Sequence, residues 1–359
     1  MMNHLRQRQS GETRNRFGAL MPGGAVRLAC AAGLIGIGCT VGGCVAIQRI
    51  RADHHVHQGE VKLQEDDLEA ALAEFQAAAE LNPTLAVAHS QMGIIYRRMG
   101  DYEQAIDCFI GAITRNPYSF NDTLNLAQLY HYTKRITDAI LAYLHAVELK
   151  PNDFDAQLNL GVCYQETGDT NQAIQRFQNA IEIDPDRPHA YVNLGVAFNA
   201  DEKYYEAIRA YKAALERDNH QPIVLVNLAH TYMKQDRLKM GRQALMQAIH
   251  MDPELGAGHE ALGYCHFRMK DYLVAEKNYK TALILEPRLP RAHAGLGSIN
   301  MLKFLGDETR TDLCERAIEH WHRSLELEPD QPRIHRLIAR YKQRMANPES
   351  ALLNEQAGG

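Results

Sequence analysis

The chain has no CxxC pair, although it carries seven cysteines among its 359 residues. Three of them (Cys30, Cys39, Cys44) fall in an apolar N-terminal stretch, and four (Cys108, Cys163, Cys265, Cys314) are scattered through helical sequence. That spacing excludes a disulfide framework and a zinc ribbon, and it leaves small buried hydrophobes as the expected role. Also missing are a GxGxxG, a P-loop, an HExxH and a GxSxG, so no nucleotide-, metal- or serine-based chemistry announces itself. There is no excess of basic residues either. The formal net charge is -5, which argues against a nucleic-acid partner. Histidines number 17, but His54, His55 and His57 are the one close group, and neighbours this near in a polar stretch make a poor metal site. No cofactor, no metal, no small-molecule substrate and no enzymatic activity are expected.

The N-terminus is unlike the rest. Residues 1–27 are polar and are expected to be disordered, with Arg6, Arg8, Arg14, Arg16 and Arg27 against Glu12. An uncharged run extends from Leu28 to Ile47 and is closed by Arg49 and Arg51. Twenty residues at about 1.5 Å each would cross a hydrocarbon core of about 30 Å, so residues 28–47 are a candidate membrane anchor or signal segment. Gly33, Gly36, Gly38, Gly42 and Gly43 lower its hydrophobicity and its helix propensity. The flanking arginines favour a cytoplasmic N-terminus and export of the residues after Ile47, to the periplasmic side of a bacterial inner membrane. Two alternatives stay open. One is a cleaved signal peptide. The other is a lipoprotein, because Val41-Gly42-Gly43-Cys44 resembles a lipobox that would lipidate Cys44.

The feature present in abundance is a period. Pro83, Pro117, Pro151, Pro185, Pro253 and Pro287 lie 34 residues apart or 68, and Asn219 stands where the missing proline would be. Ala78, Ala112, Ala146, Ala180, Ala214, Ala248 and Ala282 keep the same interval. So do Phe75, Phe109, Tyr143, Phe177, Tyr211 and Tyr279, with Leu245 in the sixth unit. Such regularity predicts a repeat architecture rather than one globular core. Within a unit, Ala86 to Ser119 reads as two helices divided at Gly100-Asp101 and stopped at Pro117.

Leu160, Gly161 and Tyr164, together with Ala173, Phe177, Ala180 and Pro185, resemble the tetratricopeptide repeat family, as do the matching positions of the other units. The resemblance covers about residues 52–329. It implies an all-α, right-handed α-solenoid superhelix of about eight helical hairpins. The expected units are 52–85, 86–119, 120–153, 154–187, 188–221, 222–255, 256–289 and a longer 290–331 with Thr311 as an N-cap. A capping helix over 332–346 and a disordered tail over 347–359 complete the expectation.

The resemblance further implies a concave groove lined by the first helix of each hairpin. There, Asn125, Asn159, Asn193 and Asn227 recur 34 apart. An amide offers donors and an acceptor, matching a peptide backbone irrespective of its sequence. The row is similar to the asparagine ladder in the repeats of O-linked N-acetylglucosamine transferases, whose catalytic domain has no counterpart here. The same slot can instead serve internal hydrogen bonding. Tyr132, Met233, Tyr264 and Phe267 are further candidate peptide-binding residues, together with His131, Val162, Val192, Val196, His230 and Met301. These become more apolar toward the C-terminal half. The expected function is a membrane-anchored scaffold that binds a peptide segment or partner protein. The alternative is a non-catalytic subunit of an envelope enzyme complex, such as a glycosyltransferase, secretion or pilus-assembly machine.

Overall fold

The computed structural model describes residues 34–346, and for residues 34–44 and 344–346 only the backbone. Among the described residues there are 17 α-helices and no strand. Sixteen of them form eight antiparallel pairs: α1 (Leu34–Gln64) with α2 (Leu68–Leu81), α3 (Ala86–Met99) with α4 (Tyr102–Arg115), α5 (Phe120–Tyr132) with α6 (Ile136–Leu149), and α7 (Phe154–Glu166) with α8 (Thr170–Ile183). They continue as α9 (Pro188–Ala200) with α10 (Tyr204–Arg217), α11 (Pro222–Lys234) with α12 (Leu238–Met251), α13 (Gly256–Arg268) with α14 (Tyr272–Leu285), and α15 (Pro290–Gly306) with α16 (Thr311–Leu327). The single helix α17 (Pro332–Ala346) closes the row. Each pair touches the next, and the result is an all-α solenoid.

One contact recurs in every pair. A bulky side chain of the second helix is pressed against the first: Phe75, Phe109, Tyr143, Phe177, Tyr211, Leu245, Tyr279 and Trp321 are all at most 2% exposed. The facing position on the first helix must be small. A Cβ added at Gly161 would stand 2.6 Å from the Phe177 ring, and one at Gly195 would stand 2.7 Å from Tyr211. At these two positions glycine's absence of a side chain outweighs its poor helix propensity of about 1 kcal/mol. Ala78, Ala112, Ala146, Ala180, Ala214, Ala248 and Ala282 are fully buried where the second helix meets its neighbours.

Helix ends keep the same rhythm. Asp67, Asp101 and Asp169 cap second helices, each accepting a bond from a backbone N–H three residues on. Thr311, expected as a cap, is instead the first residue of α16, and Arg310 takes the cap position without a side-chain bond. Both helices of the eighth pair have 17 residues, where the other first helices from α3 onward have 13 or 14. On α17, Ile334, Ile338 and Tyr341 are buried against Trp321, Cys314 and Phe304. Leu337 packs at the edge of that cluster, and Met345 lies outside the described side chains.

At the N-terminus α1 runs for 31 residues. Among its described side chains Ala52 is the first that is buried, and the part of α1 from there on belongs to the packed array. Among the described residues no helix is long and apolar enough to cross a membrane. The run 28–47 begins outside the described residues, and the side chain of Cys44 is outside them too. The segments 1–27 and 347–359, for which disorder is expected, also lie outside.

The turn within each of the first seven hairpins demands a left-handed residue at a fixed place: Asp66, Gly100, Lys134, Gly168, Glu202, Asp236 and Lys270 all have positive φ. Only two of these are glycine. A side chain in this region costs about 1–2 kcal/mol, whereas glycine costs roughly 0.5–1 kcal/mol of extra chain entropy. Glu202 is exposed. Glu202→Gly should therefore stabilise the fold by about 0.5–1 kcal/mol, read as a higher midpoint in urea unfolding monitored by circular dichroism. An unchanged or lower midpoint would show that the turn carries no such strain.

Candidate functional site

The array curves with its first helices inside. From α7 to α15, successive first helices approach one another across the intervening hairpins, and the second helices do not approach comparably. The inner face is therefore built by α3, α5, α7, α9, α11, α13 and α15.

Asn125, Asn159, Asn193 and Asn227 each occupy the sixth position of α5, α7, α9 and α11, and all are half-buried. Asn125 Oδ1 accepts a bond of 2.8 Å from Arg97 Nη1 on α3, so its carbonyl is engaged internally. Among the described residues, no protein group hydrogen-bonds the side-chain amides of Asn159, Asn193 and Asn227, and none of their polar atoms is sealed from solvent. Asn193 also lines a cavity of about 350 Å³ at the step from α9 to α11, with His189, Val192, Gln221, Pro222, Ile223 and Val224. A cavity of this size accepts one or two apolar side chains beside a free amide. A second cavity of about 520 Å³ lies between α8 and α10 over Tyr191, Leu194 and Phe198, rimmed by Glu206, Arg209, Lys212 and Glu216. None of the four asparagines lines it.

The other sequence candidates separate. Tyr132 is 65% exposed, with its hydroxyl 3.3 Å from that of Tyr102. Tyr264 is exposed, with Arg268 over its ring, and Phe267 is half-buried edge-on to Tyr272 at 5.5 Å. His131 is paired to Glu166 at 3.0 Å, a contact that together with Lys134 holds the Glu166 carboxyl below its ordinary range. Val162, Val192 and Val196 are half-buried. Met233 is not a groove residue. It is 2% exposed and packs with Leu225, Val226, Ala229 and Leu245 in the core, because its slot on α11 faces the outer helix rather than the groove. Met301 is likewise core, against Phe304 and Trp321.

The C-terminal half of the inner face is not simply apolar, contrary to the expectation from sequence. His230 on α11 and Glu260 on α13 both feel the charge of Arg291 on α15. Burial lowers His230 to about 4, and Arg291 and Lys234 push in the same direction. Burial raises Glu260 to about 7, opposed by Arg291 and reinforced by Glu286 and Glu328. Glu260 is absent from the residues that sequence reasoning singles out, yet a signal exists. It stands in the slot that holds Leu124, Leu158, Val192 and Val226 at intervals of 34.

The described cysteines and several of the other histidines make internal contacts. Cys108, Cys163, Cys265 and Cys314 are buried, and burial raises the thiols of Cys108 to about 11 and of Cys163 to about 12. His259 and His293 each place Nε2 within 3.4 Å of a proline carbonyl six residues back (Pro253, Pro287). His55 pairs with Glu74 at 2.6 Å. Among the described residues no group of three histidine, cysteine or carboxylate side chains could hold a metal ion.

The linked shifts predict a pH profile. Neutral His230 supports the fold fully above about 6.5, and this support is lost as pH falls toward 4. Glu260, raised from 4.5, supports the fold below that value and loses its support as pH rises through about 7. The two slopes oppose each other between about 4.5 and 6.5. Glu260→Gln should therefore lose stability more steeply than the wild type on acidification through this window, measured as urea midpoints at half-unit pH steps. Parallel profiles would refute the assignment.

Three repeat profiles match the sequence. One described as TPR repeat matches residues 127–168 and 164–201, and two described as tetratricopeptide repeat match residues 198–262 and 74–107. No curated protein matches the chain. Among solved structures, the C-terminal part of a TPR repeat-containing protein from Cytophaga hutchinsonii is 17% identical. It aligns over 67% of this chain and 99% of its own, with a TM-score of 0.56. A chain of the APC/C hetero-tetramer Cut9-Hcn1 is 16% identical over 76% of this chain and 52% of its own, with a TM-score of 0.55. The MamA protein is 22% identical over 47% and 92%, with a TM-score of 0.45. These likenesses concern the fold.

Proposed function

Because this chain is a tetratricopeptide-repeat protein, we propose that it is a non-catalytic scaffold whose inner groove holds an extended segment of a partner protein. The observation that carries this reading is the row of side-chain amides at Asn159, Asn193 and Asn227. They lack protein partners among the described residues and stand beside an apolar cavity at Asn193. Neighbouring helices pack about 8–10 Å apart and an extended chain advances about 3.3 Å per residue, so each amide meets roughly every third residue of the bound strand. The amides read the backbone and tolerate many sequences. The cavity at Val192 and Ile223 selects an apolar side chain. At the N-terminal step the Arg97–Asn125 bond must open or be shared for Asn125 to join the row.

The proposal extends to the membrane. The uncharged run 28–47 would tether the scaffold, with the array on the far side of the membrane from the basic N-terminus. Since α1 passes from Leu34 into the first hairpin without a break, such a tether would be stiff rather than a loose linker.

Crosslinking in the native host tests the groove. The Asn125/Asn159/Asn193/Asn227→Ala variant should lose its crosslinked partners by about tenfold or more while keeping its helical melting curve; an unchanged partner set would remove the amides from recognition. Alkaline extraction tests the tether. The full chain should stay with the membrane pellet and a version starting at residue 48 should be released, and recovery of the full chain in the supernatant would end the membrane reading.

A further inference from the structure

The inner row has one chemical exception. At intervals of 34, the slot holds Leu124, Leu158, Val192 and Val226, and then Glu260. Glu260 is 9% exposed, and among the described residues it makes neither a hydrogen bond nor an ion pair. Its oxygens are not sealed from solvent, yet a carboxylate so largely removed from water is disfavoured unless a donor reaches it. The one opposite charge it feels, Arg291, is itself exposed and does not close a salt bridge. The charge of Arg291 on α15 is felt by both His230 of α11 and Glu260 of α13. The second helices α12 and α14 pack on one side of α11 and α13, while α11, α13 and α15 also approach one another directly along the inner face.

The surrounding charge has one sign in excess near the carboxyl. Glu286 and Glu328 add negative potential from the ends of α14 and α16, and His230 is kept neutral by burial. Lys234 on α11 acts on His230, and Tyr264 and the buried Tyr279 contribute uncharged hydroxyls. Among the described residues no cation donates directly to the carboxylate.

We propose that Glu260 is a cation subsite of the groove, taking the ammonium or guanidinium of a lysine or arginine in the bound segment. This rests on the groove reading and sharpens it. The partner segment presents apolar side chains along the half-buried Leu158 and Val192 and one basic side chain at α13. Its direction is set as well, because the apolar and basic ends lie at successive hairpins. The basic side chain displaces the indirect influence of Arg291 and supplies the donors that the carboxylate does without in the free protein.

The test uses phage-displayed dodecapeptides selected on the full chain at pH 8, then remade synthetically and measured by fluorescence anisotropy. Peptides that bind in the groove are those weakened by Asn159/Asn193/Asn227→Ala. These should share one lysine or arginine. Replacing it with norleucine should weaken binding to the wild type about tenfold and leave binding to Glu260→Gln unchanged. Binding of the lysine peptide should tighten from pH 6 to pH 8 in the wild type and stay flat in Glu260→Gln, because the carboxylate form is the one that pairs. If groove-dependent peptides are obtained but norleucine weakens both proteins equally, or neither, the subsite is refuted and the groove reading stands. If no selected peptide depends on the asparagines, the groove reading fails and the subsite fails with it. Superimposable far-ultraviolet circular dichroism spectra, with Glu260→Gln melting no lower than the wild type at pH 8, show that any difference is not a folding defect.

Discussion

The seating of one bulky side chain on one small residue, repeated in each hairpin, is the contact on which the architecture depends. Phe177 on Gly161 and Tyr211 on Gly195 bring paired helices so close that an added methyl would overlap the ring. That closeness fixes the angle within a hairpin, and the fully buried alanines of the second helices fix the approach of the next one. Since every hairpin repeats the same geometry, small rotations add in one direction and the first helices end up inside. The groove is thus a by-product of packing, and its width is set by residues that never face it.

The core is accordingly divided. Buried apolar side chains form a series of local clusters, each shared between one hairpin and its neighbour. The ends of such a row have an uncovered face, and at the C-terminus α17 covers it with Ile334, Ile338 and Tyr341 while its arginines remain outward. Within the row, strain is tolerated where the geometry requires it. Five of the seven left-handed turn residues carry side chains, which shows that the hairpin angle prevails over local backbone preference.

The inner face combines three kinds of chemistry along its length. Amides free of protein partners lie in the middle and apolar side chains run beside them. Toward the C-terminal end a largely buried carboxyl on α13 and a neutral imidazole on α11 both feel the charge of Arg291. These differ in selectivity. Amides recognise any backbone, a cavity recognises volume, and a desolvated acid recognises charge. Arranged in series, they would let the proposed groove prefer one partner sequence over another.

The period of prolines, alanines and aromatics makes the hairpin array legible from residues alone, because a 34-residue spacing of small and large side chains has few packing solutions. The asparagine row is legible for the same reason. Sequence could not decide which side of a helix each nearby residue takes. Met233 and Tyr264 are both groove candidates by pattern, yet Met233 is core and Tyr264 exposed, since one helical position rotates a side chain by about 100°. The internal bond from Arg97 to Asn125 and the influence of Arg291 on both His230 and Glu260 arise only when separate hairpins are brought together, and the left-handed backbone at Lys134 and Glu202 only when the two helices of a hairpin close. Local pattern determined the elements and their order; the charge and exposure of the groove were decided by distances between residues tens of positions apart.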